Sequence, residues 1–263
     1  MKFIPKNLAS IFVAVLFLLS CNSHYILKEG KKDISSFVLK KGVSVVIVGF
    51  LPYQVSSAGR FYTATVNPSQ RIQLSEKIGQ PAGNLKVRGI RKDIPPEKVK
   101  AFVETYINAV KKSGIEEILS VVDATKEDPN AKESTIRLKD LGADYYVLGI
   151  LNPPFQKSNI GLEIIHAFSH LFSMITVGLV PSILWSDAKA TVLVYDKNLN
   201  QIWSKEYDAP YFVYRAIWAK PHPKECEQGR ICDFENFGPV PAFAFKPVLP
   251  ELESDLAQFL NSK

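Results

Sequence analysis

The chain has 263 residues, of which 46% are hydrophobic and 22% charged, and carries a net charge of +6. That length allows one large domain, or one domain with appendages, and the composition belongs to a protein with a real core rather than to a chain too polar to form one. The charge surplus is mild.

The first stretch, "MKFIPKNLASIFVAVLFLLSC", opens with Lys2 and Lys6, runs uncharged from Leu8 to Ser20 and then reaches Cys21. This is the charged and apolar order of a secretory signal, too short for an ordinary transmembrane helix. Leu18, Leu19, Ser20 and Cys21 resemble the lipobox of bacterial lipoproteins. Leu18 fits the apolar third position before the cysteine, and Ser20 fits the small residue at the cleavage point. Leu19 departs from the usual small or β-branched residue, as in the looser lipoboxes of spirochaetes. The resemblance implies that Cys21 is diacylated on sulfur, that residues 1–20 are removed, and that the new N-terminus is acylated. Each buried CH₂ contributes ~0.8 kcal/mol, so two or three chains anchor stably where one would not. The bland alternative is a plain signal peptide with an incidental cysteine. By resemblance to the sorting rule of enteric bacteria, the absence of Asp at position 22, which is Asn22, favours the outer membrane. Removing Lys2 and Lys6 takes the 32 basic residues to 30 against 26 acidic ones, a net +4. Nucleic acid is not an expected partner in that compartment.

Residues 22–41 carry Lys28, Lys31, Lys32, Lys40 and Lys41 among polar residues and read as a tether, spanning ~25 Å if flexible. "VSVVIVGF" (43–50) is a β-branched run that predicts a buried central strand. A short strand is expected at "RFYTATV" (60–66) within an otherwise irregular stretch. "IPPEKVKAFVETYINAVKKSG" predicts the best helix. Pro96 and Glu97 suit its first turn, and Val99, Phe102, Val103, Tyr106, Ile107 and Val110 form one stripe. Lys111 and Lys112 suit its negative end, and Gly114 stops it. "EEILSVVD" (116–123) is expected as a strand, residues 131–141 as a second helix ending at Gly142, and "DYYVLGIL" as another buried strand. Residues 71–112 hold ten Lys/Arg against four Asp/Glu. Such a run can meet anionic headgroups or wall polymers, though most such runs are solvated faces.

Further on, "AKATVLVYDKNLNQIWSKEYD" predicts a hairpin, "YFVYRAIW" a third strand, "PVPAFAFKPVLP" an extended segment and "PELESDLAQFLNSK" a short amphipathic helix. Strands separated by helical patterns point to an α/β class: a central mixed sheet with packed helices in an α/β sandwich, a C-terminal β-hairpin and an extended Pro-rich segment. The organisation expected is a signal peptide over 1–20, a lipid-anchored tether over 21–41 and a single α/β domain over 42–263 with an apolar helical insert at 159–186.

The order of the signal with Cys21, "VSVVIVGF", "GADYYVLGI" and "TVLVYDKNLNQIW" is similar to a broad class of bacterial envelope lipoproteins. The class includes the curli-secretion channel lipoprotein and the lipoprotein activators of penicillin-binding proteins. The resemblance covers roughly residues 43–207 and implies an α/β sandwich that binds other proteins or assembles into rings. It supplies no catalytic residues.

Nucleophile elbows, phosphate loops, dinucleotide loops, HExxH and CxxC pairs are absent from the sequence. Enzyme is therefore the minority expectation, and no cofactor is expected. With Cys21 lipidated, Cys226 and Cys232 remain as an even pair in a loop-like stretch. An exported compartment permits a disulfide there, contributing roughly 2 kcal/mol. The alternatives are two free thiols or a metal site with His222. Aromatics concentrate at Trp203, Tyr207, Tyr211, Phe212, Tyr214 and Trp218. Exposed, they could stack on sugars or peptides, but period-two placement favours filling one face of a sheet.

"NIGLEIIHAFSHLFSMITVGLVPSILWSD" (159–187) has no lysine or arginine. At 100° per residue Asn159, Glu163, His166, His170 and Ser173 fall on one side, and Ile160, Ile164, Ile165, Phe168, Leu171, Phe172 and Ile175 fall opposite. A lone span should not carry such a polar stripe. The expectation is an amphipathic helix ended near Gly178, lying on the sheet, on the membrane surface or in an oligomer. Glu163, His166 and His170 are weak candidates for a divalent metal. Three functional readings follow: an envelope lipoprotein that binds other proteins; a subunit of an oligomeric ring or export assembly; and a metal-dependent hydrolase using the His166/His170 face. The expected partners are the membrane, through the lipid anchor, an envelope protein, and possible further copies of the chain.

Overall fold

The computed structural model describes residues 22–30, 39–40, 42–58, 61–125, 135–151, 160–224, 226 and 240–263. In chain order the strands are β1 (Asn22–Leu27), β2 (Val45–Gly49), β3 (Tyr53–Ala58), β4 (Phe61–Val66), β5 (Gln80–Pro81), β6 (Gly89–Arg91), β7 (Val122–Thr125), β8 (Thr135–Asp140), β9 (Tyr145–Leu151), β10 (Ser182–Ser186), β11 (Lys189–Asp196), β12 (Gln201–Asp208) and β13 (Tyr211–Ala216). The helices are α1 (Pro96–Val110), α2 (Ile115–Leu119), α3 (Ile160–Ile175) and α4 (Leu249–Asn261). The chain divides into two compact units. The smaller contains β1, α3, β10 and β13, and the larger contains the other elements. The sequence reading took one domain carrying an insert. In the structure, the insert forms a unit together with the first strand and β13.

In the larger unit, five strands form a mixed sheet in the order β12-β11-β9-β2-β5. β2 is buried along its whole length, as its unbroken β-branched run requires. It pairs in parallel with β9, Val45 opposite Tyr145 and Gly49 opposite Gly149. A parallel pair needs a crossover, and the chain between them contains α1 and α2. The expected hairpin is formed by β11 and β12 and extends the sheet antiparallel from β9. On one face Val46, Val48, Tyr146, Leu148 and Tyr195 cluster with Val99, Phe102 and Tyr106 of α1. Each such fully buried side chain contributes about 1.5–3 kcal/mol. On the other face Trp203, opposite Val194, stacks on Phe259 of α4 with ring centroids 5.7 Å apart. Asp255 of α4 accepts hydrogen bonds from Lys205 and Tyr207. Helices on both faces make this an α/β sandwich, as expected from the alternation of strand and helix patterns. A second sheet, β6-β8-β7, packs against α1, so that helix is covered by strands on two sides.

Several expected elements differ. "EEILSVVD" is not one strand. α2 occupies Ile115–Leu119 and β7 begins only at Val122. The helical turn carries Glu117 inward to a buried ion pair, which an alternating strand at that position would not do. Residues 135–140, expected within a helix, form β8. The stretch Thr135-Ile136-Arg137-Leu138 alternates, and β6 and β7 hydrogen-bond it on both sides, so pairing overrides local propensity. Residues 131–134 lie outside the described part. Ala242–Val248, within the segment expected to be extended, winds into 3-10 turns that bury Phe243, Ala244, Phe245 and Val248. Asn22–Leu27, taken as the start of a tether, is a paired strand.

The smaller unit is built on an antiparallel sheet in the order β1-β13-β10. Tyr25, Val213, Ser23 and Ser182 are buried on one face. His24, Ile26, Phe212, Tyr214, Ile183 and Trp185 share the other. The third strand expected at 211–218 is real, but β1 and β10 are its partners rather than the hairpin strands.

Candidate functional site

The surface of the smaller unit is set by how α3 is turned. The helix runs beside edge strand β10. Ser169 Oγ accepts a hydrogen bond from the Ile183 amide at 3.0 Å and lies 2.9 Å from the His166 carbonyl oxygen, to which it donates. A hydroxyl on α3 thus satisfies the open edge of the sheet, one of the ways a protein protects an unpaired strand. Ser173 is 9% exposed, and His166 and Ser169 are half-buried. Of the polar stripe predicted from the sequence, His166 and Ser173 therefore face inward, while Glu163 and His170 are exposed. The apolar stripe faces solvent: Phe168 is 58% exposed, Ile175 68%, and Ile164, Ile165, Leu171 and Phe172 are half exposed or more. This reverses the usual orientation of a surface helix.

The apolar surface continues past the helix end. Gly178, at φ 79°, donates to the Ser173 carbonyl at 2.7 Å and closes the helix where the sequence placed its stop. Leu179 is 63% exposed, and Val177 and Val180 are exposed beside it. This turn is tied to the end of β13: Ile217 N donates to the Gly178 carbonyl at 3.1 Å, and Trp218 Nε1 donates to the Leu179 carbonyl at 2.9 Å. Trp218 and, on β10, Trp185 are themselves about half exposed. Single exposed apolar residues need no explanation. A contiguous run along one helix and its turn marks an interaction surface.

A row of rings crosses the outer face of the same sheet. His24 stacks on Tyr214 at 4.8 Å and on His222 at 4.9 Å, Tyr214 meets Trp218 at 5.8 Å, and Trp185 meets Phe212 at 6.2 Å. The expected aromatic cluster is split. Trp203 and Tyr207 pack under α4 in the larger unit, whereas Tyr211 is buried in the smaller one and Phe212, Tyr214 and Trp218 lie on its outer face. Period-two placement holds in each strand.

The weak metal candidates do not gather into a cage. His166 and His170 stack at 6.1 Å, Glu163 is exposed on the same helix, and among the described residues no group of three or more His, Cys, Asp or Glu could hold an ion. Burial, and then the neighbouring His170, holds His166 below the usual histidine range. Cys226 is half-buried, its sulfur 3.3 Å from the His222 carbonyl oxygen. The expected partner Cys232 lies outside the described residues, as does the expected lipidation site Cys21.

In the larger unit the conspicuous polar feature is buried. Arg71 donates two hydrogen bonds to Glu117, at 2.8 and 2.6 Å, and a third to the Gly49 carbonyl at 2.8 Å, while Gly49 N donates to Glu117 Oε1. These bonds tie Arg71, Glu117 and both backbone groups of Gly49 together, so the corner reads as a structural clamp on the end of β2. The basic run 71–112 is partly neutralised in the same manner. Besides Arg71, Arg91 pairs with Asp93 and Lys100 with Glu104, while Lys98 keeps its charge and donates to the neutral Asn200. A cleft of about 530 Å³ near the start of β2 is lined by Lys40, Ser44, Glu76 and Lys77 among others.

No profile of a known family matches the chain, and no curated protein or solved structure matches it either. The site therefore has to be judged by its own geometry. The sequence pattern located the apolar stripe of α3 but not its outward orientation, and of the polar stripe only His166 and Ser173 lie on the covered side. Of the ring row, Phe212, Tyr214 and Trp218 belong to the aromatic concentration visible in the sequence, whereas His24, Trp185 and His222 join them from distant positions.

Proposed function

We propose that this protein is a non-enzymatic envelope lipoprotein, held at a bacterial membrane through acylated Cys21, that works by binding or assembly. The observation that carries this reading is the outward apolar face of α3 and its turn. A protein that keeps such a surface must cover it with something, and covering a surface is binding, not chemistry. The signal-like stretch ending at Cys21 supplies the membrane, and Asn22 after it favours the outer one. Export also favours a bond between Cys226 and Cys232. The same apolar face supports a second reading, a subunit of an oligomeric ring or export assembly. The hydrolase reading gains nothing from the His166–His170 pair, which has no third ligand in reach among the described residues. Metabolic labelling with palmitate tests the anchor: label is expected in the wild type and lost in Cys21→Ala. A variant that still labels would show the lipobox reading to be wrong. Cross-linking in intact envelopes, followed by capture, is expected to recover a defined protein partner. Recovery of this chain alone would leave only the ring reading standing.

A further inference from the structure

We infer that the apolar face of α3 and the turn after it dock into the lipid surface itself, as a second membrane contact beside the acylated cysteine. The inference rests on the anchor reading for where the bilayer lies. Four observations converge. First, position: the described chain starts at Asn22, which pairs with Ala216, and its Nδ2 donates to the Ala219 carbonyl at 3.1 Å. Between those partners lies Trp218, bonded to Leu179. Cys21 is one residue, ~3.8 Å between Cα atoms, from Asn22. Asn22, the neighbour of the proposed anchor, thus lies at the same end of the unit as the exposed turn 177–180. Second, chemistry: Ile, Leu, Phe and Val dominate the exposed face, and the chain from 159 to 186 carries no lysine or arginine. A surface of that kind favours hydrocarbon over a charged partner. Third, the rim: Trp185 and Trp218 are half exposed, each with its indole N–H bonded, at Asp187 and at the Leu179 carbonyl. Tryptophan with an apolar body and a satisfied polar edge suits the boundary between headgroups and acyl chains. Fourth, length: among the described residues no helix is long and apolar enough to cross a membrane, so a contact made by α3 lies along the surface with its apolar face ~5–10 Å deep.

This placement assigns the two sides of α3 distinct jobs. On the inward side Ser169 meets the edge of β10 at Ile183; the outward stripe meets lipid. It also gives two anchoring contacts where acylation alone would leave the unit free to swivel.

The test uses the mature chain from residue 21 with Cys21→Ser, made without the leader, so that no acyl group is present. It is mixed with vesicles of phosphatidylethanolamine containing a minor fraction of phosphatidylglycerol and floated on a density gradient. The protein is expected to float with the vesicles, with little dependence on salt because no basic residue lies on the helix. The triple variant Phe168→Ser, Ile175→Ser, Leu179→Ser changes only exposed positions. It is expected to keep its circular dichroism and to partition at least about tenfold more weakly. Brominated lipid should quench the wild-type fluorescence, and the double variant Trp185→Phe, Trp218→Phe should lose most of that quenching, a readout that does not depend on the triple variant folding. Protein that stays out of the vesicle fraction would overturn the proposal, as would equal flotation of wild type and triple variant. So would a lipid-free dimer that the triple variant dissociates, because the face would then belong to a second copy. Since the chain tested is unacylated, failure of palmitate labelling at Cys21 leaves this result standing, and failure here leaves the anchor standing.

Discussion

The end of β2 depends on single atoms. Gly49 sits at φ 82° and Phe50 at φ 56°, so two successive residues take left-handed conformations, and Phe50 N donates to the Gly149 carbonyl at 2.9 Å. A Cβ on Gly149 would lie 2.3 Å from the Phe50 ring, which is 1% exposed and cannot withdraw. Gly149→Ala is therefore expected to cost about 3 kcal/mol, at the upper end of overpacking penalties, read as a lower urea midpoint with an unchanged slope. Glu117 beside it accepts from both Arg71 and Gly49 N. Glu117→Gln removes the charge but nearly keeps the shape, leaving Arg71 largely buried without its counter-ion. A loss of about 3 kcal/mol is expected, since breaking one side of a buried pair costs more than the pair contributes. A change under about 1 kcal/mol would mean that the pair is hydrated and behaves as a surface bridge. Neither effect could be read from the sequence, where Gly49 and Gly149 are a hundred positions apart and Arg71 looks like one more member of a basic run.

At the scale of the element, α3 is the informative case. Its boundaries and its apolar stripe were legible, because Gly178 and the 3.6-residue period are local properties. Its orientation was not, because nothing local says whether polar or apolar side chains meet β10. The half-buried His166 offers a check. Its affinity for a proton is lowered in the fold, by burial and then by His170, from an ordinary value of 6.5. The unfolded chain therefore binds that proton first as pH falls. The stabilisation is full above 6.5 and is lost as pH drops below that value, through the lower folded one. Stability measured by urea titration at a series of pH values is expected to fall through this range, and His166→Gln should flatten part of the decline. Identical pH slopes for the two proteins would place His166 in solvent and α3 in another orientation. The elements misread from sequence fail for a related reason. β8 is held by ladders on both sides, and α2 by the inward pull of Glu117 and Ile118, so tertiary partners outweighed weak local preferences.

For the molecule as a whole, lipid docking and ring assembly lead to different masses. After extraction in mild detergent, which fills the role of the bilayer on the α3 face, sedimentation is expected to give the mass of one chain with bound detergent. A stable multimer that persists in detergent would favour the ring. The α/β class, the buried central strands and the hairpin were determined by the sequence alone, because a run such as "VSVVIVGF" or an alternation such as "TVLVYDKNLNQIW" has few ways to bury its apolar atoms. The signal-like stretch and Cys21 are equally features of sequence, since a signal of this kind would be read before any fold exists. What only the tertiary structure decided is which strands pair and which way amphipathic surfaces point. The tether-like Asn22–Leu27 became a strand through a partner nearly two hundred residues away, and that pairing joined the helix 160–175 to the end of the chain nearest Cys21. Periodicity separates polar from apolar, but only the packing of one element on another settles which side is inside.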